Sequence, residues 1–390
     1  GGYALAGDTS TYGAGNADFW LVKVGPDLVD SDGDSLYDQW ETDGIDYDYD
    51  GVIDLTLAGA NPNYTDIYVE IDFMAGDGTH DHYPDIDAIN DVKSAFRNAP
   101  VDNPNGTDGI ALHLELDESI PHQDVINIWD DFDKIKSDNF GTAIERNDPN
   151  SVNVLAAKRL AYRYCFFIHQ FAFWNGTQWE ATTSSGVAEL PGNDFIVSLG
   201  AFTNHEGTRD HQAGTLMHEL GHTLGLRHGG GDDIHAKPNY LSIMSYTRQF
   251  SDWIPNRPLD YSRQQLSTLN ESNLDETAGI MGPSGHQTVY GPLVWNATTK
   301  RWEGFVASSQ GPIDWDKDGN ANNTGVAISV NDFTAVDFGD STLDVLEGYD
   351  DWANLQYNFR LTKEFADGVH TIVAKQEITW ETVQKMKNTI

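Results

Sequence analysis

The segment "GTLMHELGHTLGLRHGG", residues 214–230, constrains the fold of this chain more than any other stretch. His218 and His222 are four residues apart, so consecutive helical turns place both imidazoles on one face. Gly225 ends the apolar run, and a glycine there can adopt a positive φ and stop the helix. The chain can then turn back and bring His228 to the same point. The sequence therefore predicts a helix that ends at a cluster of three histidines.

This cluster has the composition of a metal site. Neutral imidazole is the commonest nitrogen ligand for zinc, and three protein ligands leave a position open for water, as in catalytic sites. Glu219 projects about 100° around the helix from His218, where it can accept a proton from the activated water. A bare H-E-x-x-H arises by chance, whereas the added glycine and third histidine make chance agreement rare. We predict zinc bound by His218, His222 and His228, with Glu219 as general base.

A second element follows in "NYLSIMSYT", where Met244 lies sixteen residues after His228. The string from His218 to His228, together with S-I-M-S-Y, resembles the metzincin zinc metalloendopeptidases. The resemblance implies that Met244 forms a hydrophobic floor beneath the histidines. It also implies that Tyr246 can ligate the resting zinc and then stabilise the oxyanion. It implies further that a protein or peptide substrate lies as an extended strand on the sheet edge, for which residues 194–199 are the candidate.

The net charge of −38 is extreme for 390 residues and is unevenly distributed. Residues 27–54 contain eleven acidic residues, and no Lys or Arg occurs between Lys23 and Lys93. Such a chain should be repelled by nucleic acids and anionic lipid surfaces, so we expect no nucleic-acid partner. We also expect no membrane span, because no apolar run approaches about 20 residues. The clustering favours metal-binding loops for part of the charge and general surface acidity for the remainder.

Two contiguous acidic loops follow an EF-hand-like count, in which position 7 is a backbone carbonyl. The predicted calcium ligands are Asp30, Asp32, Asp34, Leu36, Asp38 and Glu41 in the first loop, and Asp46, Asp48, Asp50, Val52 and Asp54 in the second. A third, weaker candidate contains Asp314, Asp316 and Asp318, which Asn322, Asp344, Asp350 and Asp351 could complete. Carboxylates crowded in this way repel one another without a cation, although an acidic surface loop is the alternative. The first loop resembles thrombospondin type 3 repeats and their bacterial relatives.

Strand-like and helix-like patterns alternate in the first half of the chain. Strands are predicted at 66–74, 109–117 and 192–202, and helices around 86–96, at 152–167 and near 379–388. These patterns predict an α/β (α+β) fold, and the resemblance implies a metzincin-like domain with a mixed twisted sheet, an active-site helix and a loop-rich C-terminal subdomain. The predicted units are a β-hairpin or remnant of an upstream repeat at 1–26, the calcium-loop segment at 27–60, and the peptidase domain at 61–390, with its N-terminal subdomain ending near 228.

Several other residues carry weaker predictions. Cys165, the single cysteine, is expected to be a buried and inert thiol. His205, His211 and His235 flank the zinc motif; His211 either lines the cleft or, more simply, lies on the surface. His80 and His82 could bind a metal adventitiously, but a solvated loop is the simpler interpretation. Residues 247–262, with Arg248 and Trp253, are expected to help form the substrate pocket.

The favoured function is a secreted or cell-surface zinc endopeptidase stabilised by calcium. Loops of this type bind calcium with a Kd around 10⁻⁴–10⁻³ M, an affinity that is useful outside a cell. One alternative is a calcium-dependent cell-surface or adhesion module with a vestigial zinc site. Another is a zymogen whose propeptide has been removed or lies upstream. The sequence predicts neither the cleavage preference nor the oligomeric state.

Overall fold

The computed structural model describes residues 28–370 and 377–389 in full, and residues 3–9 and 18–24 as backbone. The helices are α1 (Asp38–Thr42), α2 (Ile86–Arg97), α3 (Asp130–Asn139), α4 (Ala143–Arg146), α5 (Ser151–Ala161), α6 (Arg209–Thr223), α7 (Tyr246–Gln249) and α8 (Trp380–Lys387). Short 3₁₀ turns lie at Thr203–His205, Thr334–Val336, Trp352–Asn354 and Phe359–Leu361.

The strands fall into one principal sheet and several two- or three-stranded ladders. Those up to residue 200 are β1 (Tyr3–Thr9), β2 (Asp18–Val24), β3 (Asp66–Met74), β4 (Ala111–Ile120), β5 (Ile126–Asn127), β6 (Tyr162–Ile168), β7 (Phe171–Trp174), β8 (Trp179–Ala181), β9 (Gly186–Ala188) and β10 (Asp194–Ser198). The remainder are β11 (Leu269–Asn270), β12 (Leu274–Asp275), β13 (Gln287–Asn296), β14 (Arg301–Ser308), β15 (Thr324–Val326), β16 (Asp332–Phe333), β17 (Phe338–Gly339) and β18 (Val345–Leu346).

The principal sheet has the strand order β4-β3-β6-β10-β9. The first four strands are mutually parallel, and β9 is antiparallel to β10. Because parallel strands end at the same edge, the loops after β3, β4, β6 and β10 meet at one edge of the sheet. The structure is thus an α+β fold with a mixed sheet and several helices, which confirms the predicted fold class.

Both faces of this sheet are covered, so its strands contribute side chains to two cores. In β3, Ile67, Val69 and Ile71 pack into a core that includes side chains of α2 and α6. Tyr68 and Met74 face the opposite core, to which α3 and α5 contribute. The alternation along one strand therefore places helices on both faces of the sheet, as is typical of largely parallel sheets. A third, smaller core lies within the C-terminal half, around Trp315 and Leu346.

Helix α6 begins and ends where its sequence allows. Thr208 caps its N-terminus: the Thr208 hydroxyl accepts from the His211 amide, and the His211 ring accepts from the Thr208 amide, both at 3.2 Å. At the other end Gly225 has φ +88°, and a Cβ there would stand 2.7 Å from Gln356. Both the positive φ and the close approach favour glycine, so the predicted helix stop is confirmed.

Several predicted elements are confirmed and others are corrected. The strand at 66–74 and the helices α2 and α8 lie where expected. The helix predicted at 152–167 was wrong beyond Ala161, because the aromatic run from Tyr162 onward forms β6 in the centre of the sheet. Cys165 is fully buried there, and burial raises the pKa of its thiol well above the usual range.

Three further predictions can be compared with the fold. Residues 194–199 were expected to hold the exposed edge, but β10 is flanked by β6 and β9, so β9 is the edge strand. The N-terminal hairpin has its two predicted strands paired in antiparallel register, while its turn at 10–17 and residues 1–2 and 25–27 lie outside the described residues. Within the part of the chain that is described, no helix combines the length and apolar character needed to cross a bilayer.

Candidate metal centre

The structure brings His218, His222 and His228 together at the C-terminal end of α6. The Nε2 atoms of His218 and His222 are 3.1 Å apart. The three ring centroids are separated by 4.7 to 5.4 Å, and all three side chains are buried. The two helical positions and the glycine turn therefore bring three imidazoles to one point.

The outer ring nitrogens fix the tautomers of two of these histidines. His218 Nδ1 donates to the Ile243 carbonyl at 3.0 Å, and His222 Nδ1 donates to the Leu226 carbonyl at 2.7 Å. Because a carbonyl only accepts, each Nδ1 carries a hydrogen, and each Nε2 of the neutral ring presents a lone pair. Two lone pairs facing each other at 3.1 Å require a cation between them. Burial also lowers the pKa of His228 to about 3, which keeps that ring in the neutral, metal-binding form.

Glu377 occupies the fourth corner of this arrangement. Its carboxylate oxygens lie 3.0 Å from His218 Nε2, 3.3 Å from His222 Nε2 and 3.2 Å from His228 Nε2. Ligands at about 2.0–2.1 Å from a tetrahedral zinc are separated by about 3.3 Å, so these spacings fit that ion. Burial favours the neutral carboxyl, but the three histidines outweigh it and hold the pKa of Glu377 well below its usual range.

Glu219 is buried beside the triad without a partner. Neither of its carboxylate oxygens has a hydrogen-bond partner within the described ranges 28–370 and 377–389. Burial, reinforced by the charge of Glu377, raises its pKa well above the usual range. Gly186 of β9 provides the space: a Cβ on Gly186 would stand 2.6 Å from Glu219 Oε1. The carboxylate therefore lies between the metal-site helix and the edge strand.

Met244 and Tyr246 lie beneath and beside the histidines. A Cβ on Gly221 would stand 2.5 Å from the Met244 sulfur, so the methionine packs directly against the backbone of α6 between the two helical histidines. The Tyr246 ring lies 4.7 Å from the His228 ring, and its hydroxyl is hydrogen-bonded to the Glu377 carboxylate. Met244 thus packs against α6, and Tyr246 lies beside His228 and Glu377.

The segment that carries Glu377 pairs with the chain that leads into β9 through an isolated β-bridge. The Ser185 amide donates to the Ile378 carbonyl, and the Trp380 amide donates to the Thr183 carbonyl, both at 3.0 Å. Ser184 and Thr379 form an antiparallel bridge between these two bonds. Residues 377–380 therefore run antiparallel to the chain that leads into β9, with Glu377 directed at the histidines.

A cavity of about 280 Å³ adjoins this segment and is lined in part by His235, Tyr246, Phe338 and Thr382. Arg248, which was expected in the substrate pocket, lines a different cavity of about 210 Å³ beside Pro258 and His286. Trp253 was also expected there but is buried, and its Nε1 donates to the Met386 carbonyl at 2.8 Å.

The three histidines that flank the motif have different surroundings. His205 Nδ1 donates to the Gly200 carbonyl at 2.6 Å. His211 is buried against the rings of Phe202, Phe250 and Trp380, so the surface position predicted for it was wrong. The ring of His235 stacks 4.7 Å from that of His228.

The first acidic loop brings several carboxylates close together. Ligand atoms of Asp30, Asp32 and Asp34 lie within 4.8 Å of one another. Both oxygens of Glu41 are buried without a hydrogen-bond partner in the described part of the chain. Burial, reinforced by the neighbouring carboxylates, raises the pKa of Asp34 to about 8 and of Glu41 to about 9. Both oxygens of Asp38 are bonded to Ser31, one accepting from its amide and the other from its hydroxyl.

The second and third acidic loops share one backbone pattern. Asp46 accepts from the amides four and five residues later, and Asp314 does the same. In the second loop Asp48 and Asp54 also accept from Asn153 and Asn150 near α5. These two loops are exposed and internally hydrogen-bonded. The predicted carbonyl ligands of the first and second loops have similar contacts: the Leu36 amide donates to Asp34, and the Val52 amide donates to Asp50.

The third loop is completed by a residue that the sequence did not suggest. Glu276 accepts from the amides of Trp315 and Asn323 at 2.7 and 3.1 Å, which closes the loop from below. Asp351, proposed to complete this loop, is bonded to Tyr240 and Ser262 instead. Asp344 is bonded to Thr342, so neither carboxylate reaches the Asp314 loop through these contacts.

Sequence reasoning missed Glu377, Gly186 and Glu276 because each reaches its site from a distant part of the chain. Glu377 is 149 residues from His228, and no local spacing links them. Gly186 carries a weak signal, since a glycine inside a strand often marks a close approach of another group.

Comparisons with known proteins add little to this geometry. No family model matches the sequence, and no curated protein matches it. Among solved structures, a zinc-dependent peptidase from Methanocorpusculum labreanum is similar with a TM-score of 0.28 and 12% sequence identity, covering 45% of this chain and 87% of that chain. This likeness is too slight to carry an argument, so the assignment of function depends on the site itself.

Proposed function

We propose that the chain is a zinc-dependent endopeptidase of the metzincin type. The observation that carries the proposal is Glu219, a buried carboxylate one residue after a histidine of the triad, with no hydrogen-bond partner among the residues that the structure describes. A structural zinc site has no use for such a group, whereas peptide hydrolysis needs a base at this position. The convergent histidines, the Met244 floor and the ring of Tyr246 support the same conclusion.

The residues of the site divide the chemistry among them. His218, His222 and His228 would hold zinc, which supplies Lewis-acid polarisation of the scissile carbonyl and acidifies water. Glu219 accepts the proton of the attacking water and returns it to the leaving amine. Tyr246, whose hydroxyl now contacts Glu377, donates a hydrogen bond to the oxyanion once a peptide replaces that carboxylate.

The substrate would bind as an extended strand beside β9. Backbone groups of residues 183–185 already pair with another segment in this structure, namely residues 377–380. Main-chain pairing of this kind gives affinity without selecting side chains, which suits an enzyme that acts on unfolded proteins. The cavity beside Tyr246 and Phe338 would then receive a substrate side chain.

Calcium binding and an extracellular location belong to the same proposal. Two observations support a calcium ion in the first loop. The carboxylate of Glu41 is buried and has no hydrogen-bond partner among the described residues, and Asp30, Asp32 and Asp34 lie close together. Loops of this type bind calcium with a Kd around 10⁻⁴–10⁻³ M, which suits the calcium-rich surroundings outside a cell. The other two loops would bind more weakly, because their aspartates are exposed.

Glu377 also favours a second candidate, a calcium-dependent surface module whose zinc is structural. With Glu377 as fourth ligand the site is closed by protein side chains, as in structural zinc sites. The two candidates differ in activity, because only the enzyme uses Glu219.

The test is hydrolysis of unfolded casein by the full chain loaded with zinc and calcium. We expect cleavage by the Glu377→Ala variant and a fall in kcat of about 10²–10⁴ when Glu219→Gln is added, with the zinc content unchanged. Glu180→Gln, an exposed residue of β8, is the matched control and should leave kcat unchanged. Equal rates with and without Glu219, or no cleavage by any variant, would exclude the peptidase and leave the surface module.

A further inference from the structure

Four histidines outside the triad meet at the carboxyl edge of the principal sheet. The ring of a fifth, His205, packs against two of them, 5.2 Å from His80 and 5.7 Å from His169. His80 and His82 lie in the loop after β3, His122 follows β4 by two residues, and His169 directly follows β6. We call these four residues the histidine tetrad. Because β3, β4 and β6 are parallel, three separate strands deliver their histidines to one place.

The tetrad has the internal spacing of a metal site. All six pairs of ring centroids are 4.9 to 5.6 Å apart, so the four rings lie at the corners of a compact tetrahedron. The triad of the peptidase site has nearly the same spacing, 4.7 to 5.4 Å.

Three ring nitrogens of the tetrad converge more closely than hydrogen bonding explains. His169 Nδ1 lies 3.1 Å from His80 Nε2 and 3.3 Å from His82 Nε2. A neutral Nδ1 has one hydrogen or one lone pair, so it can satisfy only one of these two neighbours. A zinc ion about 2.0–2.1 Å from each nitrogen satisfies all three at this separation.

The surroundings hold the tetrad rings in place. The other nitrogen of His80 lies 2.9 Å from the Thr79 hydroxyl and 3.4 Å from Asp77, a carboxylate partner of the kind that orients metal-bound histidines. His122 Nδ1 is buried without a hydrogen-bond partner in the described residues. A Cβ on Gly200 would stand 2.6 Å from the His169 ring, so a glycine leaves room for that ring.

The tetrad also has the burial of a ligand set. The His82 residue is 6% exposed, the side chains of His80 and His122 are 7% and 14% exposed, and His169 is half-buried. Burial and the neighbouring rings lower the pKa of His82 to about 3, which keeps this ring neutral. Neutral, shielded imidazoles are suited to zinc and not to calcium, which prefers oxygen ligands.

We propose that His80, His82, His122 and His169 bind a second zinc ion, separate from that of the peptidase site. Ligand atoms of His80, His82 and His169 lie within 4.8 Å of one another, and His122 would complete the set through its buried Nδ1. Four protein ligands would leave no open position, so we assign this ion a structural role. It links the loop after β3 to the ends of β4 and β6. The same loop is bonded to the approach to α6, where the Asp81 amide donates to Glu206 and the Asp85 amide donates to Gln212. The second zinc therefore steadies the N-terminal entry of the helix that carries the triad.

The test is the zinc content of the full chain after equilibration with zinc and removal of loosely bound metal. We expect two zinc ions per chain in the wild type, one in His82→Asn/His169→Asn, one in His218→Gln/His222→Gln, and none in the quadruple variant. His286→Asn, a part-buried histidine remote from both clusters in sequence, is the control and should keep two.

Two further measurements keep the test decisive. If the tetrad variant does not fold, the single change His122→Gln at the rim should weaken binding of the second zinc in a chelator competition. Cobalt in place of zinc should show tetrahedral absorption in the chain that lacks the triad. A triad variant that binds no zinc, or a folded tetrad variant that keeps both ions, would overturn the proposal.

A second inference concerns residues 377–389 and rests on the proposed function. Glu377 lies at the fourth coordination position, which a hydrolytic zinc site must leave open. Residues 377–380 lie along the sheet edge where a substrate would pair. Helix α8 anchors this segment, because Val383 and Met386 are buried in the main core. We infer that residues 377–389 inhibit the site from within the same chain by occupying both the metal and the substrate edge.

The segment offers its own control. Glu377→Ala should raise the rate of casein cleavage at least tenfold over wild type, whereas Asn388→Ala, an exposed residue eleven positions along the same segment, should not. Acetohydroxamate, a small zinc ligand, should bind the zinc-loaded Glu377→Ala chain and not the wild type, as measured by calorimetry.

These readouts separate the inhibition from the peptidase activity. Equal acetohydroxamate binding by wild type and Glu377→Ala would overturn the inhibition, whatever the casein result. Binding restricted to Glu377→Ala without any casein cleavage would support a blocked zinc position while excluding the peptidase.

Discussion

Replacement of His211 by glutamine should change how stability depends on pH. His211 is the third residue of α6 and closes the capping box with Thr208. Glutamine can make the same capping contact, so His211→Gln keeps the helix start while removing a titrating group. Burial lowers the pKa of His211 from 6.5 to about 4, with a smaller contribution from Lys387 that Asp210 opposes.

The direction and size of the effect follow from this shift. Because the folded state holds His211 neutral, its contribution to stability is complete above pH 6.5 and is lost as the pH falls toward 4. The difference of about 2.5 pH units corresponds to about 3 kcal/mol in total, of which about 2 kcal/mol is lost between pH 7.5 and pH 5. The variant loses ring contacts with Phe202, Phe250 and Trp380, which should lower its stability by about 1 kcal/mol at pH 7.5.

Urea unfolding of both proteins at pH 7.5 and pH 5 measures the effect. We expect His211→Gln to be about 1 kcal/mol less stable than wild type at pH 7.5 and about 1 kcal/mol more stable at pH 5. Effects of pH on the metal sites are common to both proteins and cancel in the difference. A stability difference that is the same at both pH values would refute the buried, neutral state of His211.

Three further predictions concern the helix stop, the calcium loop and a buried ion pair. Gly225→Ala should lower stability by about 1–2 kcal/mol and weaken zinc binding, as measured by calorimetry with zinc. The control is Gly285→Ala, which is also at positive φ but in open space, so it should cause a similar backbone strain and leave zinc binding unchanged. Removing calcium held at 100 times its Kd should lower stability by about 2.7 kcal/mol, and Glu41→Gln should shrink that difference in thermal melts with and without chelator. Lys158→Met should destabilise by about 3–5 kcal/mol because it removes the cation shared by Glu70, Glu115 and Glu145, of which Glu70 is fully buried. The double variant with Glu70→Gln should recover part of that loss in urea unfolding, and an equal loss in both would contradict the buried pair.

The parts of the site that could be predicted are those set by local geometry. The spacing of His218 and His222 within one helix, and the stop at Gly225, depend only on helical periodicity and backbone sterics. The same holds for the strand at 66–74 and for α2, whose patterns are long and regular. Each of these features is decided by residues close together in the chain.

The remainder depends on contacts between distant segments. The helix predicted through Phe167 ignored the aromatic run of β6, whose position at the centre of the sheet outweighs helical spacing. Strand order decides that β9 is the edge, and no local pattern reveals strand order.

The histidine tetrad and the contact of Glu377 with the triad also depend on distant segments, so the sequence did not predict them. The loop with His80 and His82 was predicted to be solvated, which is wrong for His82, since it is 6% exposed. His122 and His169 are far from His80 in sequence, and only the parallel sheet brings them together. Glu377 reaches the triad through a segment that pairs with the chain leading into β9, which no spacing in the sequence predicts.

The most direct test of the account is anomalous diffraction at the zinc absorption edge from crystals of the zinc-loaded chain. We expect one peak about 2.0–2.1 Å from the Nε2 atoms of His218, His222 and His228, with Glu377 beside it, and a second peak within the histidine tetrad. Absence of a zinc peak at the triad, in a crystal that diffracts well enough to show the three rings, would contradict the account.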